Sequence, residues 1–411
     1  MILIADVDNC FVSCERIRKP ELEGMPVVVL SAGEAAVIAR SNVAKRLGIK
    51  MGEPFFKMKR RYCPDQYVAI PADHHYYKEV SDRLMGFLRT QCPNLYQYSI
   101  DEAFCDMSGV TVDLKQWGEQ LHGKIRETLG LPVSIGIAPS KTLAKIASHF
   151  AKKYSAYRHC CLIDTDEKRL SALHLTPIED VWGIGRRYRA RMYQEGIWTA
   201  YDLAMRSRSY LHTCFPQPII NTRDELNGID CIVMRENEVS KSVSNTRTFP
   251  QMISTIEGLV AEVSNFAADC SSTLRRQHTL AKSMSVFVAT NHYREDLPQY
   301  ENSASCKLET PTNLSTELVR QAIKLLRSIY RDGYRYKRAG VTITSVIDAK
   351  TVLASLFEVD ADKRQRQHQL DVLMDELNQK TGKGTVKLGV QLRDGNAAKG
   401  KDSTTGNQRK K

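Results

Sequence analysis

The first 165 residues alternate short apolar runs with stretches whose apolar positions recur every three or four residues. A continuous apolar run of four to eight residues predicts a buried strand, and the helical spacing predicts an amphipathic helix. By these patterns strands are predicted over residues 1–7, 26–30, 95–107 and 132–137, and helices over 36–47, 76–90, 113–129 and 140–153. The run at 95–107 consists of two β-type segments that join at Asp101 and Glu102.

The rest of the chain changes character twice. Residues 168–232 hold short, turn-rich helical segments. A new unit begins near Lys241, with helices predicted over 255–277 and 316–332 and strands over 283–289 and 339–346. Between residues 241 and 347 it carries 14 Lys and Arg against 9 Asp and Glu, so we expect a basic module. A polar helix at 363–379 and a Gly-, Lys- and Thr-rich tail from about residue 393 follow. The whole chain is predicted to be an α+β multidomain protein.

Composition narrows the class of protein. At 411 residues the chain is long enough for about two to four domains. No apolar run approaches the ~20 residues of a membrane helix, and the acid at position 6 argues against a signal peptide. The 11 cysteines have no zinc-knuckle spacing, and their odd number favours a reducing compartment, so we expect a cytoplasmic protein. The net charge of +12 suits a polyanionic partner, either nucleic acid or an anionic membrane face.

Acidic residues stand at the ends of two predicted strands of the same sheet. Asp6 follows five uncharged residues, and Asp101 and Glu102 lie at the tip of the predicted hairpin. Acids at strand ends are often solvated turn residues. Carboxylates that converge from neighbouring strands repel one another, however, unless a cation neutralises them. Oxygen ligands of this kind suit Mg²⁺, and a pair of such ions suits phosphoryl transfer.

Basic residues supply the complementary charge. Lys45 ends one predicted helix, and Lys141 and Lys145 lie one turn apart on another. Cations near acidic metal ligands are what a triphosphate requires, although a solvated helix face would look the same. Four arginines begin at Arg186 and follow a Gly-x-Gly turn, Gly183–Gly185; such a turn before a helix exposes backbone N–H groups that attract phosphate.

Four segments, in this order and spacing, resemble the landmark motifs of the Y-family translesion DNA polymerases. They are Asp6–Glu15 (DVDNCFVSCE), Tyr98–Asp106 (YSIDEAFCD), Ile135–Lys145 (IGIAPSKTLAK) and Asp180–Arg187 (DVWGIGRR). The likeness covers about residues 1–390. It is strongest to the UmuC branch of the family, because of the sequences at 37–40, 181–187 and 302–312 and the added C-terminal segment.

The resemblance implies a role for each matching residue. Two Mg²⁺ ions would be held by Asp6, the backbone carbonyl of Val7, Asp101 and Glu102, while Asp8 would have no ligand role. The other implied roles are a steric gate against the 2′-hydroxyl for Phe11, triphosphate binding for Lys45 and Lys145, and contact with the DNA backbone for Gly183, Gly185, Arg186 and Arg187.

The resemblance also implies a right-hand polymerase. The palm would comprise residues 1–10 and 73–165, the small fingers 11–72, the helical thumb with its helix-hairpin-helix 166–235, the little-finger α/β domain 241–347, and a C-terminal extension 348–411. The activity would be error-prone, template-directed DNA synthesis from dNTPs on primer–template DNA in the SOS response.

The implied partners are a UmuD′-like subunit and a RecA filament. A sliding clamp is a further candidate, because Leu353–Phe357 lies where bacterial relatives carry a clamp peptide, although Leu353 replaces the usual Gln. Two alternatives stay open at this point. One is a non-catalytic DNA-binding regulatory subunit with the same fold, which would not need all three carboxylates. The other is a DinB-like polymerase that acts alone.

Overall fold

The computed structural model describes residues 1–234, 241–349, 361–382 and 384–391 of the chain. The chain divides into two compact units, Met1–Asn237 and Glu238–Lys411. Leu353–Phe357 and the tail from residue 393 lie outside the described residues. Within the described part, no helix has the length and apolar character needed to cross a membrane.

The first unit contains two sheets and eleven α-helices among its described residues. Its strands are β1 (Ile2–Val7), β2 (Val27–Leu30), β3 (Val37–Arg40), β4 (Val68–Pro71), β5 (Leu95–Gln97), β6 (Glu102–Asp106), β7 (Val133–Ala138) and β8 (Cys160–Leu162). Its helices are α1 (Cys10–Arg18), α2 (Asn42–Arg46), α3 (Phe55–Arg61), α4 (His74–Gln91), α5 (Leu114–Leu129), α6 (Lys141–Lys153), α7 (Asp166–Leu175), α8 (Arg186–Gln194), α9 (Ala200–Met205), α10 (Arg208–Cys214) and α11 (Gln217–Leu226).

The larger sheet has the strand order β5-β6-β1-β7-β8, with β1 antiparallel to both of its neighbours and β7 parallel to β8. Both of its faces are covered. Apolar side chains on one face pack with α1, α4 and α5, and those on the other face pack with α6 and the helices α7–α11. Burial on both faces explains why β1 and β7 are continuous apolar runs, and it confirms the strands predicted at 1–7 and 132–137.

Helix α6 lies unusually close to the sheet, and Gly136 on β7 permits this. A Cβ atom at Gly136 would lie 2.1 Å from the carbonyl oxygen of Ala144 and 2.3 Å from the amide nitrogen of Ser148. These atoms belong to the backbone of α6, so no side chain can move aside to make room. The glycine therefore sets the distance between β7 and the helix that carries Lys145.

The smaller sheet, with the order β3-β2-β4, corrects one prediction. The pattern at 36–47 predicts a single helix, but residues Val37–Arg40 form strand β3, which pairs with β2, and α2 begins only at Asn42. Ser41 separates the two elements: its hydroxyl accepts hydrogen bonds from the Ala44 and Val27 amides. A side chain that caps a helix also ends the preceding strand here, and apolar periodicity does not detect such a boundary.

The second unit is a four-stranded antiparallel sheet with two long helices on one face. It consists of β9 (Val243–Ile253), α12 (Ile256–Arg276), β10 (Thr279–Thr290), β11 (Glu301–Thr312), α13 (Ser315–Ile329), β12 (Tyr336–Asp348) and α14 (Ala361–Thr381). The strand order is β11-β10-β12-β9. The predicted helices and the strands at 283–289 and 339–346 are confirmed. Strands β9 and β11 were not predicted, because polar residues, among them Ser, Thr, Lys and Glu, alternate with their apolar positions and leave no apolar run.

Candidate active site

Strand pairing brings the acidic residues together. In the register between β1 and β6, Asp6 lies directly opposite Glu102, and opposed residues of antiparallel strands have Cα atoms about 4.5–5.5 Å apart. The amide of Val7 donates a hydrogen bond to the carbonyl oxygen of Asp101 at 3.0 Å. The acids that are 95 residues apart in sequence therefore occupy one end of the sheet.

The turns on either side of these acids are fixed locally. Asn9 adopts a left-handed conformation (φ 49°) between β1 and α1, which reverses the chain directly after the strand. In the hairpin, the Ser99 hydroxyl donates to the Asp101 carboxylate, and the Asp101 amide donates to the Ser99 oxygen at 3.2 Å. This reciprocal pair holds the Asp101 side chain back towards its own turn.

Two lysines of α6 reach the acids. The Lys152 ammonium lies 3.0 Å from Asp6 and 3.1 Å from Asp8, and the Lys145 ammonium donates to the Glu102 carboxylate. Lys145 and Lys152 are seven residues apart, so both project from the same face of the helix. This helix face supplies the positive charge of the site.

Burial and neighbouring charges shift the protonation equilibria here. Burial raises the pKa of Glu102; Lys145 opposes this shift, while Asp6 and Asp101 add to it. Burial by itself lowers the pKa of Lys152, but the attraction of Asp6 and Asp8 outweighs it, so the net shift is upward. The acids thus repel one another and depend on cations for neutralisation.

No three His, Cys, Asp or Glu side chains among the described residues converge closely enough to hold a metal ion. The carboxylates of Asp6 and Glu102 are each directed to a lysine, and that of Asp101 to Ser99. The donor set itself is all oxygen, which suits Mg²⁺, and two ammonium groups already mark where positive charge is needed. The residues present therefore fit divalent cations in their chemistry.

Asp8 contributes to the site without facing Glu102. Its carboxylate accepts a hydrogen bond from the Ser134 hydroxyl at 2.9 Å and forms the second ion pair of Lys152. Its amide donates to the carbonyl oxygen of Pro132, and its carbonyl oxygen accepts from Ser13. Asp8 is thus anchored on three sides as the partner of Lys152.

Phe11 lies in an aromatic cluster at the start of α1. Its ring stacks on Tyr77 with centroids 4.6 Å apart and meets His74 edge-on at 5.6 Å. Tyr77 is fully buried, and its hydroxyl donates to the buried carboxylate of Glu15 at 2.7 Å. The half-buried Phe11 ring therefore stacks on a tyrosine ring that burial and a hydrogen bond hold in place.

Lys45 belongs to the electrostatic surroundings of the acids. Burial lowers the pKa of Lys45, and the positive charges of Lys152 and Arg40 lower it further, while Asp8 and Asp6 oppose the shift. Its helix is tied to the β1–α1 turn, because the Asn9 side chain donates to the side chain of Asn42 at 3.2 Å.

The Gly-x-Gly turn lies at the start of α8. Gly183 has φ 89°, a left-handed conformation that favours glycine, and Gly185 is the N-cap residue of this nine-residue helix. Arg186 and Arg187 are exposed in its first turn. The preceding residue, Trp182, donates its indole N–H to the Tyr98 hydroxyl at 3.0 Å, which joins this turn to the hairpin of the acids.

Lys152 and Tyr98 are the functional candidates that the sequence analysis missed. A signal for Lys152 was present, because a lysine seven residues after Lys145 must share its helix face. Tyr98 opens one of the resembling motifs, but no sequence pattern indicates its contacts with Lys145 and Trp182, which belong to a helix and a loop that are distant in sequence.

Comparisons with known proteins agree with this architecture. The impB/mucB/samB family model matches residues 5–149, and the model of the C-terminal domain of the same family matches residues 240–356. The chain is 36% identical to the protein UmuC of Salmonella typhimurium over 95% of this chain and 93% of that protein. It is 26% identical to a DNA polymerase IV of Clostridium kluyveri over 96% of this chain and 98% of that protein.

Solved structures share the fold. A Y-family DNA polymerase chimera of Dbh and Dpo4 superposes with a TM-score of 0.68 over 85% of this chain and all of that chain, at 23% identity. An insertion ternary complex of Dbh DNA polymerase gives a TM-score of 0.53 over the same shares, at 22% identity.

Proposed function

This chain belongs to the impB/mucB/samB family of Y-family DNA polymerases, and we propose that it performs error-prone, template-directed DNA synthesis across damaged templates in the SOS response. The observation that carries the proposal is the register of β1 with β6, which sets Asp6 opposite Glu102 beside Asp101. A family member that had become a non-catalytic subunit would have no need to keep these acids together with lysines facing them.

Two Mg²⁺ ions would be held by Asp6, the carbonyl of Val7, Asp101 and Glu102. When bound, they would supply Lewis-acid stabilisation of the charge that develops on the phosphates. The all-oxygen donor set supports this assignment, as does the raised pKa of Glu102, which is caused mainly by burial and to a smaller extent by repulsion from Asp6 and Asp101.

The reaction joins the primer 3′-oxygen to the α-phosphorus of a dNTP and breaks the bond from that phosphorus to the departing pyrophosphate. Lys152 would bind the triphosphate, since its ion pairs with Asp6 and Asp8 hold an ammonium where phosphate charge would arrive. Lys45 and Lys145 would add positive charge to the same region. These contacts orient the phosphates and stabilise the charge of the leaving group.

Phe11 would select the sugar. A rigid ring beneath the sugar leaves no room for a 2′-hydroxyl, and the stacking on Tyr77 supports such rigidity. A polymerase built in this way would favour deoxynucleotides over ribonucleotides.

The DNA contacts would come from two regions. Gly183, Gly185, Arg186 and Arg187 would bind the duplex backbone through amides and guanidinium groups. In the second unit, the open face of the sheet presents hydroxyls of β10, β11 and β12 together with Arg338, whose guanidinium lies over the Phe287 ring at 5.2 Å. Both surfaces would contact DNA without reading its sequence.

The domain roles follow from these assignments. Residues 1–10 and 73–165 would form the palm, 11–72 the fingers, 166–235 the thumb, 241–347 the little finger and 348–411 a C-terminal extension. The partners would be primer–template DNA, dNTP, a UmuD′-like subunit and a RecA filament. A clamp contact through Leu353–Phe357 would be tested by deleting that segment, which should abolish any stimulation of synthesis by the clamp.

The decisive experiment is primer extension by the purified chain, alone and with UmuD′ and RecA–ssDNA. Asp101→Asn should reduce extension at least about 10³-fold, because it weakens a metal ligand at the reacting phosphate, while primer–template affinity should stay within about two-fold. The matched control is Asp106→Asn, at the other end of β6, which should extend primers at the wild-type rate.

Two results would contradict the proposal. One is extension by Asp101→Asn at a rate near that of the control variant. The other is a wild-type chain that binds primer–template yet extends nothing under any of these conditions. Extension by the chain alone, with no stimulation by UmuD′ or RecA–ssDNA, would favour the DinB-like alternative.

A further inference from the structure

We propose that Tyr98 is a positioning residue that holds Lys145 against Glu102 and fixes this arrangement to the DNA-binding turn through Trp182. The inference rests on the proposed function, because it concerns how fast the proposed site reacts. It assigns a role to Tyr98 and Trp182, which lie within the resembling motifs but receive no role from the resemblance and do not belong to the donor set of the site.

The backbone of Tyr98 is tied directly to Glu102. The amides of Tyr98 and Ser99 both donate to the carbonyl oxygen of Glu102, at 3.0 and 3.1 Å. The Tyr98 side chain consequently leaves the hairpin close to the Glu102 carboxylate. A movement of the Tyr98 ring therefore changes the surroundings of the Glu102 carboxylate.

The Tyr98 ring provides a second contact for the Lys145 ammonium. Lys145 donates to Glu102, and its nitrogen also lies 5.3 Å from the centre of the Tyr98 ring. The Lys145 and Glu102 side chains are only 17% and 16% exposed, whereas Tyr98 is 43% exposed. Water therefore competes little at the ammonium itself, and partial desolvation of a cation strengthens its contact with an aromatic ring. A flexible lysine is thereby restrained between a carboxylate and an aromatic face.

The orientation of the ring is set by neighbours on its other side. Tyr98 meets Phe104 edge-on at 5.7 Å and Trp182 edge-on at 5.5 Å, and its hydroxyl accepts the indole N–H of Trp182. Phe104 is buried and lies two residues after Glu102 on the same strand. Trp182 directly precedes the Gly183–Gly185 turn, so one hydrogen bond links the DNA-binding turn to the ring that holds Lys145.

This arrangement has a consequence for the reaction. When dNTP and metal ions enter, Lys145 must leave Glu102 or share it with a cation, and an unrestrained lysine would have many other positions to occupy. The Tyr98 ring keeps the ammonium within reach of the triphosphate. Removing the ring should slow the chemical step without lowering the affinity for primer–template DNA, because Tyr98 itself contacts no DNA in this proposal.

The test is a set of variants measured by single-turnover extension at saturating dNTP, together with primer–template affinity. Tyr98→Leu removes the ring and should slow extension about ten-fold, with affinity within about two-fold. Tyr98→Phe keeps the ring and loses only the hydroxyl, so it should retain most of the rate. In a Lys145→Met background, Tyr98→Leu should have no further effect, because a residue that acts through Lys145 has nothing left to position.

Two outcomes would overturn the inference. Effects of Tyr98→Leu and Lys145→Met that multiply would mean that the tyrosine acts independently of the lysine. A Tyr98→Leu variant with the wild-type rate would mean that the ring does not position Lys145 at all. If Asp101→Asn also remains active, the proposed function itself fails; if Asp101→Asn is inactive, only the role of Tyr98 is rejected.

A readout that does not depend on activity checks the Trp182 contact. The chain has three tryptophans, and Trp182→Phe identifies which indole N–H resonance belongs to Trp182 in a ¹⁵N NMR spectrum of the full chain. Tyr98→Phe should shift this resonance and leave those of Trp117 and Trp198 in place. An unchanged Trp182 resonance would rule out the hydrogen bond and with it the link to the turn.

Discussion

The two larger sheets of this protein use their surfaces in opposite ways. The sheet of the first unit is buried on both faces, so its polar chemistry is confined to the strand ends, where Asp6 and Glu102 meet. The sheet of the second unit has helices on one face, and no helix among the described residues covers its other face, which is open there and lined by hydroxyls. The first arrangement positions a few side chains accurately; the second offers a wide surface whose individual contacts are interchangeable.

This difference follows from packing. A sheet between two helical layers cannot shift without disturbing both layers, so a group at its edge is held within a narrow range of positions. A sheet with an open face can change its surface side chains at little cost. We therefore expect substitutions in the first unit to act on rate and selectivity, and those on the open face to act mildly on DNA affinity.

The largest effect is expected from Gly136→Ala. The new Cβ atom would overlap backbone atoms of α6, at 2.1 Å from the Ala144 oxygen, so the helix must move away from β7. We expect a loss of about 3 kcal/mol in the free energy of unfolding and loss of most extension activity, because Lys145 and Lys152 move with the helix. Thermal or urea denaturation and primer extension measure the two effects.

The matched control for this prediction is Gly123→Ala. Gly123 lies within α5, and its Cβ atom would meet nothing within 4 Å. Alanine is the better helix former, so this variant should be about 0.5–1 kcal/mol more stable than the wild type. Equal stability of the two variants would show that the close approach of α6 is not what constrains the sheet.

The second effect concerns selectivity. Phe11→Ala should raise the relative use of ribonucleotides by about 10²-fold, because the ring beneath the sugar is removed while the phosphate contacts stay. The ratio of kcat/KM for dNTP and rNTP measures this, and the dNTP reaction is the internal control. Tyr77→Phe should relax selectivity less, since it loses the bond to Glu15 and keeps the stacked ring. Unchanged sugar selectivity in Phe11→Ala would exclude the gate.

These residues also show how far the sequence could be interpreted. The sequence predicts β1, β7 and α6, because a sheet that is buried on both faces requires continuous apolar runs. It also predicts that Asp6, Asp101 and Glu102 lie at strand ends, because the apolar runs stop at these acids. The division between β3 and α2 at Ser41 could not be predicted, because a hydroxyl cap does not change the apolar period. The strands β9 and β11 could not be predicted either, because a strand with a polar open face has no continuous apolar run. The role of Tyr98 requires contacts between distant segments, which no local pattern contains.

The third effect concerns the proposed contacts with the DNA backbone, which are expected to act through charge and not through the accurate positioning of single side chains. Replacing both Arg186 and Arg187 with Ala should weaken primer–template binding about ten-fold and reduce the slope of log affinity against log salt by about 2, one unit for each lost phosphate contact. Titrations of a labelled duplex at several salt concentrations measure both. Replacing the exposed Arg83 and Arg89 of α4 is the control, and an equal change of slope there would mean that only net charge matters.

The smallest effect is expected from Gly340→Ala on the open face, the counterpart of Gly136. Its Cβ atom would meet side chains, at 2.4 Å from Thr246 and 2.6 Å from the Phe287 ring. The Phe287 ring can turn outward, but the overlap with the Thr246 Cβ atom at 2.8 Å can be relieved only by a shift of β9, which as an edge strand can move more easily than a helix packed on a buried sheet. We therefore expect a loss of about 1–2 kcal/mol in the free energy of unfolding. Because Arg338 lies over the displaced Phe287 ring, primer–template affinity should fall two- to three-fold, about 0.4–0.7 kcal/mol. The extension rate at saturating DNA should be unchanged, and a large loss of that rate would mean that the open sheet also positions the reacting groups.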